Sequence, residues 1–278
     1  MALVALGKFA DAEIALQSLR LQNPDDPDVA LALALLDIYR ASYEEALPLL
    51  GEALRKKPNV ARIHILLALV LAKLHRTDEA EQFYQGAQEI NPDDERLSRV
   101  QAAILIETGK FEEALQILAS YSLDHPDDSW DVWNDLGTLY YVAEQFDRAE
   151  ESFKRAIESA GEMGLTIPFV HFNLALCNNA QGRYEDAKEQ LSITLEADAE
   201  LAPAWSALGL LVAADGDIER AEEFIQKAIE LQPEEPSHWY AMGQVMELAG
   251  DQESASHYMR EGYRAAQRLQ PTGEVPEE

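Results

Sequence analysis

The chain has 278 residues, 47% of them apolar, with 51 acidic against 22 basic side chains and a net charge of −29. That apolar content can bury a large core and excludes a disordered chain, while the charge repels nucleic acid and anionic membranes, so neither is expected as a partner. A single cysteine, Cys177, excludes an internal disulfide framework and a cysteine-based zinc site; with no apolar run of membrane-spanning length and no signal-peptide pattern in "MALVALGK", a soluble cytoplasmic protein is expected.

A short turn of the form Gly–x–aromatic–x–x–Ala returns along the chain, as in "LGKFADAEIAL" near the start, "TGKFEEALQIL" at 108–118 and "QGRYEDAKEQL" at 181–191. Its alanines are Ala12, Ala46, Ala80, Ala114, Ala149, Ala187, Ala221 and Ala255, spaced 34, 34, 34, 35, 38, 34 and 34 residues apart. A fixed period in the thirties is the mark of a solenoid. Eight units follow, at about 1–26, 27–60, 61–94, 95–129, 130–167, 168–201, 202–235 and 236–268, with an acidic tail over 269–278.

The first unit is shortened. Counting back from Ala12, Met1 falls inside its first helix; Leu3, Val4 and Leu6 remain and would leave an uncapped apolar end. From the second unit on, each repeat reads as two amphipathic helices. The first carries apolar residues at helical spacing, as in "WNDLGTLYYVA" at 133–143. Gly109, Gly182, Gly216 and Gly250 stand where a left-handed residue ends such a helix. The second helix runs to a proline in five units, at Pro24, Pro58, Pro92, Pro126 and Pro233. Twelve residues before the register alanine sits a small residue (Ala34, Ala68, Ala102, Gly137, Ala175, Gly209 and Gly243), as close helix contact requires. Between the fifth and sixth units the spacing grows by four across "ESAGEMGLTIP" at 158–168. A tolerated insertion and a surface touched by partners are both open there. The last helix, within 251–271, is polar on its outer face and reads as a finished end.

Twenty of the acidic residues stand at starts of second helices or in loops before first helices, where a carboxylate favours the helix N-terminus by roughly 0.3–1 kcal/mol. Setting these aside leaves 31 acidic against 22 basic residues. Most of the net charge is therefore repeat architecture.

The pattern resembles the tetratricopeptide repeat family. Trp133, Leu136, Gly137, Tyr140, Phe146, Ala149, Phe153 and Ala156 stand at the family's spacing, as do Trp205, Leu208, Gly209, Gly216, Ala221, Ala228 and Pro233. His75 and Thr77 in the third unit, and Gln252 and Gly262 in the eighth, depart from it. The resemblance implies an all-α, right-handed superhelical solenoid forming one domain over 1–268, with first helices lining a concave groove. It also implies a scaffold or adaptor that holds peptides or partner proteins.

The family's groove positions map here onto an aliphatic stretch (Leu31, Leu35, Ile38, Ile65, Leu69), then a basic group (Arg62, Lys73, Arg96, Arg99), then a polar and aromatic zone that includes Asn134, Tyr141, Phe172 and Asn173. Converging arginines can grip a carboxylate with paired hydrogen bonds. Arg62, Lys73, Arg96, Arg99, Asn134, Tyr141, Phe172 and Asn173 are therefore the candidate peptide-binding residues. Pairing of the arginines with Glu95 and Glu107, and plain packing of the aromatic zone, are the alternatives. The Lys-Asn-Asn-Lys-Arg set with which relatives bind chaperone tails is missing, since matching positions hold Leu31, Leu35 and Leu66. Trp133, Trp205, Trp239, His64 and His171 fill the family's helix-packing position and are expected in the core. No phosphate loop, His-x-x-x-His spacing or Ser–His–Asp set is present, so no enzyme, metal or cofactor is expected. Self-assembly through the N-terminal end is the competing role.

Overall fold

The computed structural model describes residues 9–125 and 129–269. Leu3, Val4, Leu6, Pro126 and the tail from residue 270 lie outside the described residues. The described residues form fifteen α-helices and no strand: α1 (Phe9–Gln22), α2 (Pro27–Tyr39), α3 (Tyr43–Lys56), α4 (Ala61–Lys73), α5 (Thr77–Ile90), α6 (Leu97–Glu107), α7 (Phe111–Asp124), α8 (Trp130–Val142), α9 (Phe146–Glu162), α10 (Pro168–Ala180), α11 (Tyr184–Ala197), α12 (Ala202–Ala214), α13 (Ile218–Leu231), α14 (Pro236–Ala249) and α15 (Gln252–Leu269). Even-numbered helices are the first helices of repeats and odd-numbered ones the second.

The helix ends follow from local chemistry. Asp26 caps α2 by accepting from Asp28 N at 2.9 Å, with Pro27 in the first turn; Glu235 accepts from Ser237 N at 3.2 Å ahead of Pro236. Both arrangements satisfy orphan N–H groups at no cost to the helix. At the C-terminal ends the expected left-handed glycines are found, with φ 73° at Gly109 and 80° at Gly250. Three repeats reach the same conformation without glycine, at Ala41, His75 and Glu144, with φ of 56–59°. The departure at His75 thus leaves the turn intact, at a backbone cost of about 1–2 kcal/mol.

All eight register alanines are buried, none more than 2% exposed. At the small-residue level the helices touch: a Cβ on Gly137 would stand 2.6 Å from Phe153 Cε1, and one on Gly209 2.6 Å from Ile225 Cγ1 and 3.1 Å from the Ala221 carbonyl oxygen. Gly209→Val is expected to destabilise the packing of α12 on α13 by about 1–3 kcal/mol through overpacking, read as a lower urea midpoint. An unchanged midpoint would mean that α12 and α13 separate freely.

The chain divides into two compact units, Met1–Ile167 and Pro168–Glu278, at the end of the four-residue insertion. The insertion itself lengthens α9 to 17 residues against 14 in the neighbouring second helices α7 and α11 and adds a turn at Gly164, φ 68°. Its Met163 and Leu165 pack within the first unit against Ala12, Leu16, Ala32 and Leu36 of α1 and α2.

Candidate functional site

In the first unit the groove residues meet side chains from their own chain. Lys73, at the end of α4, holds both oxygens of Asp135 on α8 at 2.6 Å. Arg99 on α6 holds Asp131, one turn earlier on α8, at 2.6 Å. Ser129 donates a short hydrogen bond to the same carboxylate. Burial pushes the Asp131 carboxyl upward, but Arg99, Ser129 and Lys73 together outweigh it and hold it below the usual range. At Asp135 burial wins over Lys73, and its carboxyl stays above that range. Tyr43, at the start of α3, faces the same cluster: burial, then Asp131 and Asp135, push its phenol far up against the pull of Arg99. Beside them Trp130 is 1% exposed and donates its indole N–H to the Tyr39 carbonyl oxygen at the end of α2, 3.0 Å away. Side chains of α8 thus fasten α2, α4 and α6 from within.

The remaining candidates are distributed as follows. Arg96 forms a two-point pair with Asp94, Nε to Oδ1 at 2.8 Å and the terminal nitrogen to Oδ2 at 2.6 Å. Those bonds hold the Asp94 carboxyl below its usual value. Arg96 and Arg99 therefore pair with Asp94 and Asp131; Glu95 and Glu107 form ion pairs with His125 and His75. Arg62 has no carboxylate partner among the described residues. It lines a narrow 40 Å³ cavity with Ile65, Leu66, Leu69, Arg96, Arg99 and Val100. Asn134 is buried in α8, and Tyr141 packs edge-on against Phe146 with centroids 5.7 Å apart. Phe172 and Asn173 sit on α10 in the second unit, where Phe172 packs against the core. The eight candidates thus belong to two bodies, six in the first unit and two in the second.

Trp130, Asp131 and Asp135 were not among the candidates. A signal for them exists in "SWDVWNDLG": Trp133 fills the register position, so Trp130 has no repeat reason to be there, and the two aspartates stand four apart on one helix face.

The second unit is different. Leu176 and Asn179 of α10, Ala207, Leu210 and Ala214 of α12, and Tyr184 of α11 line an apolar crevice of 340 Å³. Asn179 and Tyr184 are exposed at its edge, and Lys188 nearby bridges Glu185 and Asp215 at 2.6 Å each.

Among the described residues no three His, Cys, Asp or Glu side chains are placed to hold a metal ion. No described helix is long and apolar enough to cross a membrane. Ser206 Oγ and His238 Nδ1 are 2.8 Å apart, but both are buried, His238 at 1% exposure. Burial pushes the His238 imidazole below its usual value, against the pull of Glu235. A lowered histidine contributes stability that is complete above about pH 6.5 and is lost as pH falls through the lower folded value. Between pH 7 and 5 the second unit is expected to lose stability that a His238→Gln variant does not lose; parallel losses would show that the imidazole charges freely in the fold.

Comparison with known proteins fits this geometry. A family model described as tetratricopeptide repeat matches residues 40–104, and a second of the same description matches 99–164, 134–202 and 179–236. No curated protein matches by sequence. Among solved structures, that of the APC/C hetero-tetramer Cut9–Hcn1 aligns with TM-score 0.70 at 16% identity, over 92% of this chain and 50% of that one. MamA 41-end from Desulfovibrio magneticus RS-1 aligns with TM-score 0.54 at 20% identity, over 64% and 98%. PilF from Pseudomonas aeruginosa aligns with TM-score 0.54 at 22% identity, over 74% and 92%. The repeat matches run unbroken from residue 40 to residue 236 and the helices continue the same pairing on both sides, so the chain belongs to the tetratricopeptide repeat family.

Proposed function

We propose that the chain is a protein-interaction scaffold without a catalytic centre or cofactor, and that a segment of a partner protein docks in the crevice of the second unit. The supporting observation is the contrast between the two units. Lys73, Arg96 and Arg99 are engaged by the chain's own carboxylates, whereas the crevice between α10 and α12 stands open with an apolar floor. An apolar side chain entering it gains burial, and Asn179 offers amide hydrogen bonds to an extended backbone beside it. Phe172 and Asn173 lie earlier on α10 and would extend the contact. Selection of a displayed random peptide library should enrich sequences with a central apolar residue. Binding should vanish in Leu210→Glu/Ala214→Glu and persist in Arg62→Glu/Arg96→Glu. No enrichment at all, or loss through the arginine pair instead, contradicts the reading.

One observation favours self-assembly as a second role. Ile14 and Leu21 stand two turns apart on one face of α1 and are 69% and 85% exposed, although Met163 and Leu165 cover another part of that helix pair. Exposed apolar faces mark association sites. Sedimentation at rising concentration would show larger species for the wild type and none for Ile14→Glu/Leu21→Glu. A monomer throughout removes this role.

A further inference from the structure

A second surface, on the first unit and independent of the crevice, has a chemistry of its own. α7, α8 and α9 enclose a cleft of 400 Å³ lined by Leu123, Trp133, Leu136, Tyr140, Arg148 and Arg155, among others. Arg155 lies with its Cζ 4.7 Å from the centre of the Trp133 ring, and Arg148 5.6 Å from that of Tyr140. A guanidinium held against a ring is restrained on one face by a cation–π contact and keeps N–H donors to offer a carboxylate. Arg148 has no carboxylate partner among the described residues and reaches only the Gln145 amide oxygen, at 3.2 Å. Arg155 is held only by Glu151, at 2.9 Å and with both side chains well exposed. Pairs of that kind are worth little and exchange readily. Leu136 and Ala119 give the cleft apolar lining beside Ser122, Ser152 and Glu151, and Leu123, also lining it, is 82% exposed.

We propose that this cleft binds an acidic segment of a partner protein that carries an apolar residue between two carboxylates. Charge complementarity selects it. In a protein of net charge −29, a partner of like sign is turned away over most of the surface, so two exposed arginines against the one lining carboxylate, Glu151, beside an exposed leucine make the cleft a local exception. The arginines are seven residues apart on α9, which puts them about 10 Å apart along the helix. An extended chain covers that distance in three residues, at about 3.3 Å each. The recognised pattern is therefore acidic–apolar–x–acidic, with the apolar side chain set against Leu123 and Leu136.

The test is NMR titration of the full chain with the peptide Ser-Glu-Leu-Ser-Glu-Ser, together with one control in which lysine replaces both glutamates and one in which serine replaces leucine. Amide shifts of residues 119–123 and 148–155 should move and saturate with the parent peptide. Both controls should bind at least about tenfold more weakly, since each removes a charge-assisted pair or the apolar anchor. Arg148→Glu/Arg155→Glu should abolish the shifts, and Arg148→Lys/Arg155→Lys, which keeps the charge and the fold but not the two-point geometry, should weaken them. No saturating shift, shifts elsewhere, or equal binding by the glutamate variant overturns the proposal. So does self-association that moves the same residues without peptide, which would make the occupant a second copy of this chain.

Discussion

Replacing Lys73 with alanine is expected to destabilise the first unit by about 3–5 kcal/mol, far more than removal of an ordinary surface lysine. The Lys73 and Asp135 side chains are 18% and 16% exposed and make two contacts of 2.6 Å. Truncating one partner leaves the other charge inside the groove with its hydration gone. Asp131, four residues before Asp135 on α8 and already held by Arg99 of α6, would then sit beside an uncompensated carboxylate. The paired substitution Lys73→Met/Asp135→Leu removes both charges and keeps their bulk, so its cost should be small or reversed. Chemical denaturation followed by hydrogen exchange at α4 and α8 separates this unit from the second. A loss under about 1 kcal/mol for Lys73→Ala would place the pair among solvated surface contacts and remove the argument that the groove is fastened shut.

Trp130→Ala should cost a similar amount, about 3–5 kcal/mol, for a different reason. The indole is among the largest fully buried side chains, and its loss leaves a cavity between helices far apart in sequence. Its N–H also donates to the Tyr39 carbonyl oxygen, in the last turn of α2. Trp130→Phe keeps most of the volume and removes the donor; its cost should be about 0.5–1.5 kcal/mol, that of one lost hydrogen bond. If both variants melt with the wild type, Trp130 does not hold α8 against α2.

The repeat architecture was legible because it is local. Ala46 or Ala221 is buried for reasons contained within some thirty residues, and helix periodicity, the end glycines and the small residues all report the same pairing. The cross-groove contacts were not legible for the opposite reason. Lys73 meets Asp135 across 62 residues and Trp130 meets Tyr39 across 91, and a repeat register carries no information on which side chains of distant repeats converge. Groove positions could be named, which is why Lys73 and Arg99 were candidates; that Asp131 and Asp135 reach them depends on how the repeats wind. The left-handed residues at Ala41 and His75 show the same limit in miniature, since tertiary packing holds a turn that the local sequence does not favour. Phe172 and Asn173 could be placed on a first helix from spacing, and the four-residue insertion marks where the period breaks, but that the chain divides there into two compact units, at Ile167, with the arginines in the other one, is not written in the register.

The measurement that bears most directly on the scaffold reading is hydrogen exchange of the full chain with and without a peptide enriched by library selection. The account predicts added protection in α10 and α12, around Leu176, Asn179 and Leu210, and unchanged exchange in α4 and α6. Protection centred instead on Arg62, Lys73 and Arg99, with α8 exchanging faster as its ion pairs are displaced, would contradict it.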